Sequence, residues 1–229
     1  MTSTKERILA TSLALFNREG ERNVTTNHIA EALGISPGNL YYHFRNKGEI
    51  VKELFQRYQA TVEAFLQVPA DRPLTWQDKV GYFESILEGI WGARFLHRDL
   101  THLLNQDESL RSQYREFVAI SLERGLNVYK GLRSSGLIEV SDEDMKALLV
   151  NTWVLGASWA MFVQSLVPPE TRHDELDREL LRQGIFQIVC LEAPYLRGEA
   201  LEHLESMKQR YGNPKGTLGL LFGELAPSV

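Results

Sequence analysis

Ser36-Pro37-Gly38-Asn39-Leu40-Tyr41-Tyr42-His43-Phe44-Arg45-Asn46-Lys47 is the stretch on which the reading of this chain turns. Ser36 is suited to cap a helix, and Pro37 to its first helical position, where a missing N–H is harmless. Leu40 and Phe44, four residues apart, fall on one side and hold the helix down from within. Asn39, Tyr41, Tyr42, His43 and Lys47 leave hydrogen-bond donors, flat faces and positive charge on the other. A short helix divided in this way is built to press against a phosphate backbone, and it reads as a DNA recognition helix.

The residues before it complete a helix-turn-helix. Thr26 to Leu33 carries Ile29, Ala30 and Leu33 at helical spacing, and Gly34 stands where a left-handed residue would end that helix. Two crossing helices need a small residue at the crossing and a positive-φ residue in the turn; Ala30 and Gly34 meet those demands. Further back, Ser3-x-x-Glu6 has the form of a capping box, and Ile8, Leu9, Leu13 and Phe16 form the apolar stripe of a first helix ending at Gly20. Three helices and one polar face result.

These segments, Val24-Thr25-Thr26-Asn27-His28-Ile29-Ala30, Gly34-Ile35-Ser36 and Leu40 through Lys47, resemble the DNA-binding domain of the TetR family of bacterial repressors. The resemblance covers about the first fifth of the chain, and its aromatic-His-aromatic ending with the following lysine is highly specific. It implies an all-α homodimer whose variable C-terminal domain binds a small molecule and thereby releases DNA. It also implies that Tyr42, His43 and Lys47 occupy phosphate-binding positions. Asn27, Pro37, Gly38, Asn39 and Tyr41 fall where related proteins touch base edges, next to the capping Ser36. Thr25 and Thr26 open the second helix, whose N–H groups and hydroxyls suit a phosphate. Asn39 fits adenine and Pro37 a thymine methyl, each worth about 1–3 kcal/mol of discrimination. Gly38 departs from the bulkier residues common there, which leaves the base sequence open. Tyr41 reads equally well as packed against the first helix, and His43 has a structural hydrogen bond as its alternative role.

The remaining sequence also reads as helices. Asn46-x-x-Glu49 caps one running through Ile50, Leu54, Tyr58, Val62 and Phe65; Thr75-x-x-Asp78 opens another carrying Phe83, Leu87, Ile90, Trp91 and Phe95; a shorter piece lies near 99–104. Leu110 to Arg133 follows, and Ser141-x-x-Asp144 starts a helix that holds no charge from Ala147 to Val167. That run is long enough to span a bilayer, but Asn151, Thr152, Ser158, Gln164 and Ser165 interrupt it and no basic cluster flanks it. A helix buried all round is the expectation, with a partner subunit as part of the cover. Met145–Leu166 and Glu175–Leu191, capped by Asp174, are the candidate dimer helices, with Gly156, Ala157, Trp159, Ala160, Ile185 and Ile188 at the interface.

The expected architecture is therefore all-α: a helix-turn-helix head (1–48), joined by a long helix to a larger ligand-binding and dimerisation body (49–211), then a loose tail (212–229). The formal charge of -5 argues against a protein that coats DNA indiscriminately. Residues 1–50 hold six Lys/Arg and five Asp/Glu, a head of +1. A single cysteine, Cys190, suits a reducing compartment, and the start of the chain shows no signal peptide, so a cytoplasmic location is expected. Tyr58, Phe83, Trp91, Phe95, Tyr114, Phe117 and Trp153 are candidates to line a pocket for an apolar or aromatic effector, although aromatics at helical spacing are more often plain core. Arg94, Arg98, His97 and His102 are candidate anchors for an acidic group. His97-x-Asp99-x-x-His102 does not place three ligands on one helical face, so neither a metal nor a cofactor is expected. Nothing resembles an HExxH, GxSxG or P-loop signature, so an all-α enzyme is the weaker rival. An effector-independent DNA-binding protein with a filled body is the stronger one.

Overall fold

The computed structural model describes residues 3–166 and 174–212, the side chains of 174–178 apart. The expected cap at Asp174 and the tail beyond Gly212 lie outside the described residues. Eleven α-helices are found among the described residues: α1 (Thr4–Glu19), α2 (Thr26–Leu33), α3 (Pro37–His43), α4 (Lys47–Phe65), α5 (Trp76–Gly92), α6 (Arg94–Gln106), α7 (Glu108–Ser134), α8 (Asp142–Leu166), α9 (Asp174–Glu192), α10 (Gly198–Glu202) and α11 (Leu204–Tyr211). No strand occurs among them; the one extended pairing is an isolated antiparallel bridge between Ile138 and Leu196. The fold is all-α.

The helices begin where the sequence places caps. Ser36 Oγ accepts the Asn39 N–H at 3.2 Å, Thr75 and Asp78 exchange a full capping box, and Ser141 Oγ accepts the Asp144 N–H at 3.0 Å. Asn46 Oδ1 takes the Glu49 N–H at 3.0 Å, while the Glu49 carboxylate reaches back to the Arg45 N–H. The box expected at Ser3 forms only in part. Ser3 accepts the Glu6 N–H, but the Glu6 carboxylate turns to a bidentate pair with Arg57, at 2.7 and 2.8 Å. A charged fork of two hydrogen bonds outcompetes one backbone amide.

The described residues form two compact units, one from 3–64 with 92–118, the other from 65–91 with 119–166 and 174–212. In the first, Ile8, Leu9, Phe16, Ile29, Leu40 and Ile50 are fully buried around α1 to α4. Here the expected helix through Phe95 is corrected: it breaks after Gly92 and restarts as α6. The Asn17 amide explains the break, donating to Gly92 O at 2.8 Å and accepting the Phe95 N–H at 3.1 Å. One side chain satisfies both backbone groups that the interruption frees. Phe95 then packs on Phe16 with ring centroids 5.3 Å apart.

The second unit is organised around α8 and α9. Trp159 donates its indole N–H to Leu180 O at 2.8 Å and lies on Gly184, where a Cβ would come within 2.7 Å of the ring. Only glycine lets the two helices close so tightly. α8 is long and apolar enough to cross a membrane by length and composition, yet only 17% of its most apolar window is buried within the chain. The expectation of all-round burial is thus corrected for the isolated subunit.

Candidate nucleic-acid interface

α2 and α3 place the motif residues as a helix-turn-helix requires. Gly34 ends α2 in the left-handed region at φ 66°, and its N–H returns to the last turn of that helix. Ala30, at the crossing, is buried, as are Leu40 and Phe44 beneath α3. Above them Ser36, Pro37, Gly38, Asn39, Tyr41 and Tyr42 are exposed, as are Thr25 and Asn27 at the start of α2. Thr26 and His43 are half-buried. This is a polar, aromatic surface carried on an apolar base.

Several residues within it have defined partners. The Tyr41 hydroxyl, on a ring 46% exposed, shares a 2.9 Å hydrogen bond with Thr26 Oγ1. Tyr41 is therefore fastened to α2, rather than to the first helix. Tyr42 is 86% exposed and its ring meets His43 edge-on at 5.2 Å. Apart from that ring contact, Tyr42 is open to solvent.

Lys47 is placed differently from the expectation of a free phosphate donor. Its ammonium reaches Glu21 O at 2.9 Å, Val24 O at 3.0 Å and the buried Glu21 carboxylate at 2.8 Å. Those three acceptors match its three N–H donors. The clamp fixes a 3₁₀ turn, Glu21–Asn23, directly before the α2 cap. α6 grips the same turn, with Asp99 accepting the Glu21 N–H at 3.2 Å and Arg98 donating to Phe16 O at 2.6 Å. Arg98, offered as an anchor for an acidic ligand, is thus engaged with the head. No metal-binding cluster of His, Cys, Asp and Glu occurs among the described residues.

The seven aromatic pocket candidates are divided between the two compact units. Tyr58, Tyr114 and Phe117 come together with Phe55, their rings 5.7–6.3 Å apart, and Tyr58 shares a 3.0 Å hydrogen bond with His97. Burial pushes both tyrosine hydroxyls above the ordinary phenol range. Phe95, also in the first unit, is buried and packs against Phe16. Phe83, Trp91 and Trp153 belong to the second compact unit, where Trp91 and Trp153 are half-buried.

Sequence reasoning missed the charged cluster in that unit. Lys79, in the second turn of α5, and Glu192, at the end of α9, are both buried and form an ion pair. The Tyr129 hydroxyl donates to the same carboxylate and meets Thr152 Oγ1 at 3.1 Å. Burial, reinforced by the Glu192 charge, holds the Tyr129 hydroxyl far above its usual range. The signal was present: Lys79 keeps helical phase with Phe83 and Ile90, and Glu192 with Ile185 and Ile188.

Of the dimer candidates, Trp159, Ile185 and Ile188 are buried within the chain itself. Gly156, Ala157 and Ala160 are half-buried. The apolar side chains that α8 exposes are Val150, Val154, Met161 and Phe162. Val150, Val154 and Met161 follow one another along a single helical face, with Ser158 and Ser165 between and beyond them.

Comparison with known proteins places these features. The family described as bacterial regulatory proteins, tetR family, matches residues 8–54, and that described as bacterial transcriptional repressor matches residues 57–204. A solved TetR-family transcriptional regulator from Marinobacter aquaeolei VT8 is 43% identical, with a TM-score of 0.82, covering 92% of this chain and 99% of that one. A transcriptional regulator from Saccharomonospora viridis, solved in complex with choline, shares the fold at 19% identity, with a TM-score of 0.61 over 85% of this chain and 98% of that one. Nucleoid occlusion factor SlmA of Glaesserella parasuis is 29% identical over 121 residues, 50% of this chain; the match spans 60% of that curated relative's length. With the helix-turn-helix head and the all-α body both matched, the chain belongs to the TetR family of bacterial DNA-binding transcriptional repressors.

Proposed function

We infer that the protein is a cytoplasmic homodimeric repressor that grips a palindromic operator and lets go when a small molecule binds its body. The exposed polar face of α2 and α3 carries the DNA half of this reading. Asn27, Pro37, Gly38 and Asn39 read base edges, while Thr25, Thr26, Tyr42 and His43 seat the phosphates and so position the head without discriminating. Tyr41 serves both ends, touching DNA from a ring that Thr26 holds in place. Lys47 contributes by fixing the turn before α2. Two heads meet successive major grooves, roughly 34–36 Å apart.

The dimer half rests on α8, whose exposed line of Val150, Val154, Met161 and Phe162 a second copy would cover, with Gly156, Ala157 and Ala160 allowing close approach. A partner explains the charge-free run without a membrane. The effector half is supported by the Tyr58, Tyr114 and Phe117 cluster, whose aromatic faces and phenol-imidazole pair suit an apolar or aromatic molecule with one hydrogen-bonding group. α4, which begins at Lys47 directly after the recognition helix, is the proposed lever for release. Only a differential affinity worth about 1–3 kcal/mol is needed to change operator binding 5–150-fold. Effector-independent binding is the second reading, favoured by the close ring packing of that same cluster.

Binding titrations against base-pair variants of a selected operator test the DNA half. Asn39→Ala relaxes discrimination at one base pair by about 1–3 kcal/mol and leaves the others intact; uniform loss at every position would count against a base contact. A thermal-shift screen read alongside operator release tests the effector half, and a compound that stabilises the protein without releasing DNA would favour the second reading.

A further inference from the structure

His28 is absorbed by none of the roles assigned above, yet it stands within the interface, exposed, between Asn27 and the buried Ile29. Its backbone N–H donates to Thr25 Oγ1 at 3.2 Å, and its ring Nδ1 accepts the Thr25 N–H at 3.4 Å, closing a capping box. Glutamate or glutamine is the usual residue at this third position. A ring nitrogen that accepts an N–H carries no proton, so the hydrogen of the neutral imidazole sits on Nε2. Nε2 lies at the edge of the ring turned away from the Thr25 amide and has no partner among the described residues.

Charge gives this substitution a purpose. A glutamate here would cap α2 equally well but would set a negative charge beside Thr25 and Thr26, on the surface that faces a polyanion. Neither α2 nor α3 carries an acidic residue in its first turn; among α1 to α8 only α6 shares this. Histidine supplies the cap acceptor on one nitrogen and a neutral donor on the other. We propose that His28 is a DNA-backbone contact: it closes the α2 cap through Nδ1 and offers Nε2–H to a phosphate oxygen. The proposal rests on reading the head as the DNA-binding unit.

The test compares His28→Glu and His28→Gln, both of which retain a cap acceptor at the third position. The probe is a duplex enriched by the wild-type protein from a random-sequence pool, alongside an unrelated duplex, with the melting temperature of each free variant as control. His28→Glu keeps the wild-type melting temperature and loses at least about tenfold in affinity on both duplexes, because like charges are brought together. His28→Gln, neutral and still a donor, stays near wild type. A glutamate variant that binds both duplexes as tightly as wild type overturns the proposal alone. A wild-type protein that enriches no duplex overturns the reading of the head, and the proposal with it.

Discussion

Lys47 shows what a motif can and cannot say about a single residue. Its position beside the recognition helix was legible, but its acceptors on Glu21 and Val24 lie 26 and 23 residues away, beyond the reach of any local pattern. The side chain is 28% exposed and its Glu21 partner only 4%, so losing the ammonium strands a buried carboxylate. Lys47→Ala should lower the stability of the free protein by about 1–3 kcal/mol and weaken binding to every duplex alike. Denaturant titration of the unliganded protein separates this from a pure phosphate contact, for which stability would not change. The exposure of Asn39, Pro37 and Gly38 was legible because it needs only a capped helix with Leu40 and Phe44 beneath it. His28 was quoted within the motif, but its role was hidden, since only the geometry shows which ring nitrogen is occupied.

At the scale of elements, starts were easier to read than interruptions. Thr75-x-x-Asp78 announced α5, while the break between α5 and α6 depends on Asn17, 75 residues from Gly92. The α5 start also makes a pH prediction. A bidentate pair with Arg72, helped by the Thr75 N–H and hydroxyl, holds the Asp78 carboxyl below its usual range. A depressed folded value means that its contribution is complete above the unfolded value, about 4, and is lost as the pH falls further. Asp78→Asn should therefore flatten the acid limb of a stability-versus-pH curve measured by urea unfolding; an unchanged limb would show the pair to be inert.

The residue after Asp78, Lys79, ties α5 to the end of α9 through Glu192. Removing one partner strands a buried charge, so Lys79→Met or Glu192→Leu alone should each cost about 3–5 kcal/mol. The double variant should recover much of that loss, since well-packed apolar pairs often replace buried ion pairs at little cost. A double variant as unstable as the sum of the singles would contradict the coupling.

For the whole molecule, the all-α class and the helix-turn-helix head were legible in the sequence, while the charge-free helix carried the expectation of a second subunit. Of the candidates on α8 and α9, Trp159, Ile185 and Ile188 are buried within the chain itself. Trp159 and the isoleucines of α9 are apolar at helical spacing, and so are Val154 and Met161; composition cannot tell which stripe faces inward. Contacts separate them: Trp159 is locked onto Gly184 and Leu180, whereas Val154 and Met161 are 54% and 53% exposed. An exposed apolar line of this kind fits the proposed interface. Covering it with a second copy brings two recognition helices to one duplex, which is the central claim. Sedimentation equilibrium of the wild type and a Val154→Glu variant, each with and without a selected palindromic duplex, tests it most directly. The account predicts wild-type dimers that bind one duplex per two chains, and a folded monomeric variant with at least about tenfold weaker binding, since paired heads act together. A wild type that sediments as a monomer and binds the duplex one to one, or a variant that still dimerises and binds normally, would contradict it.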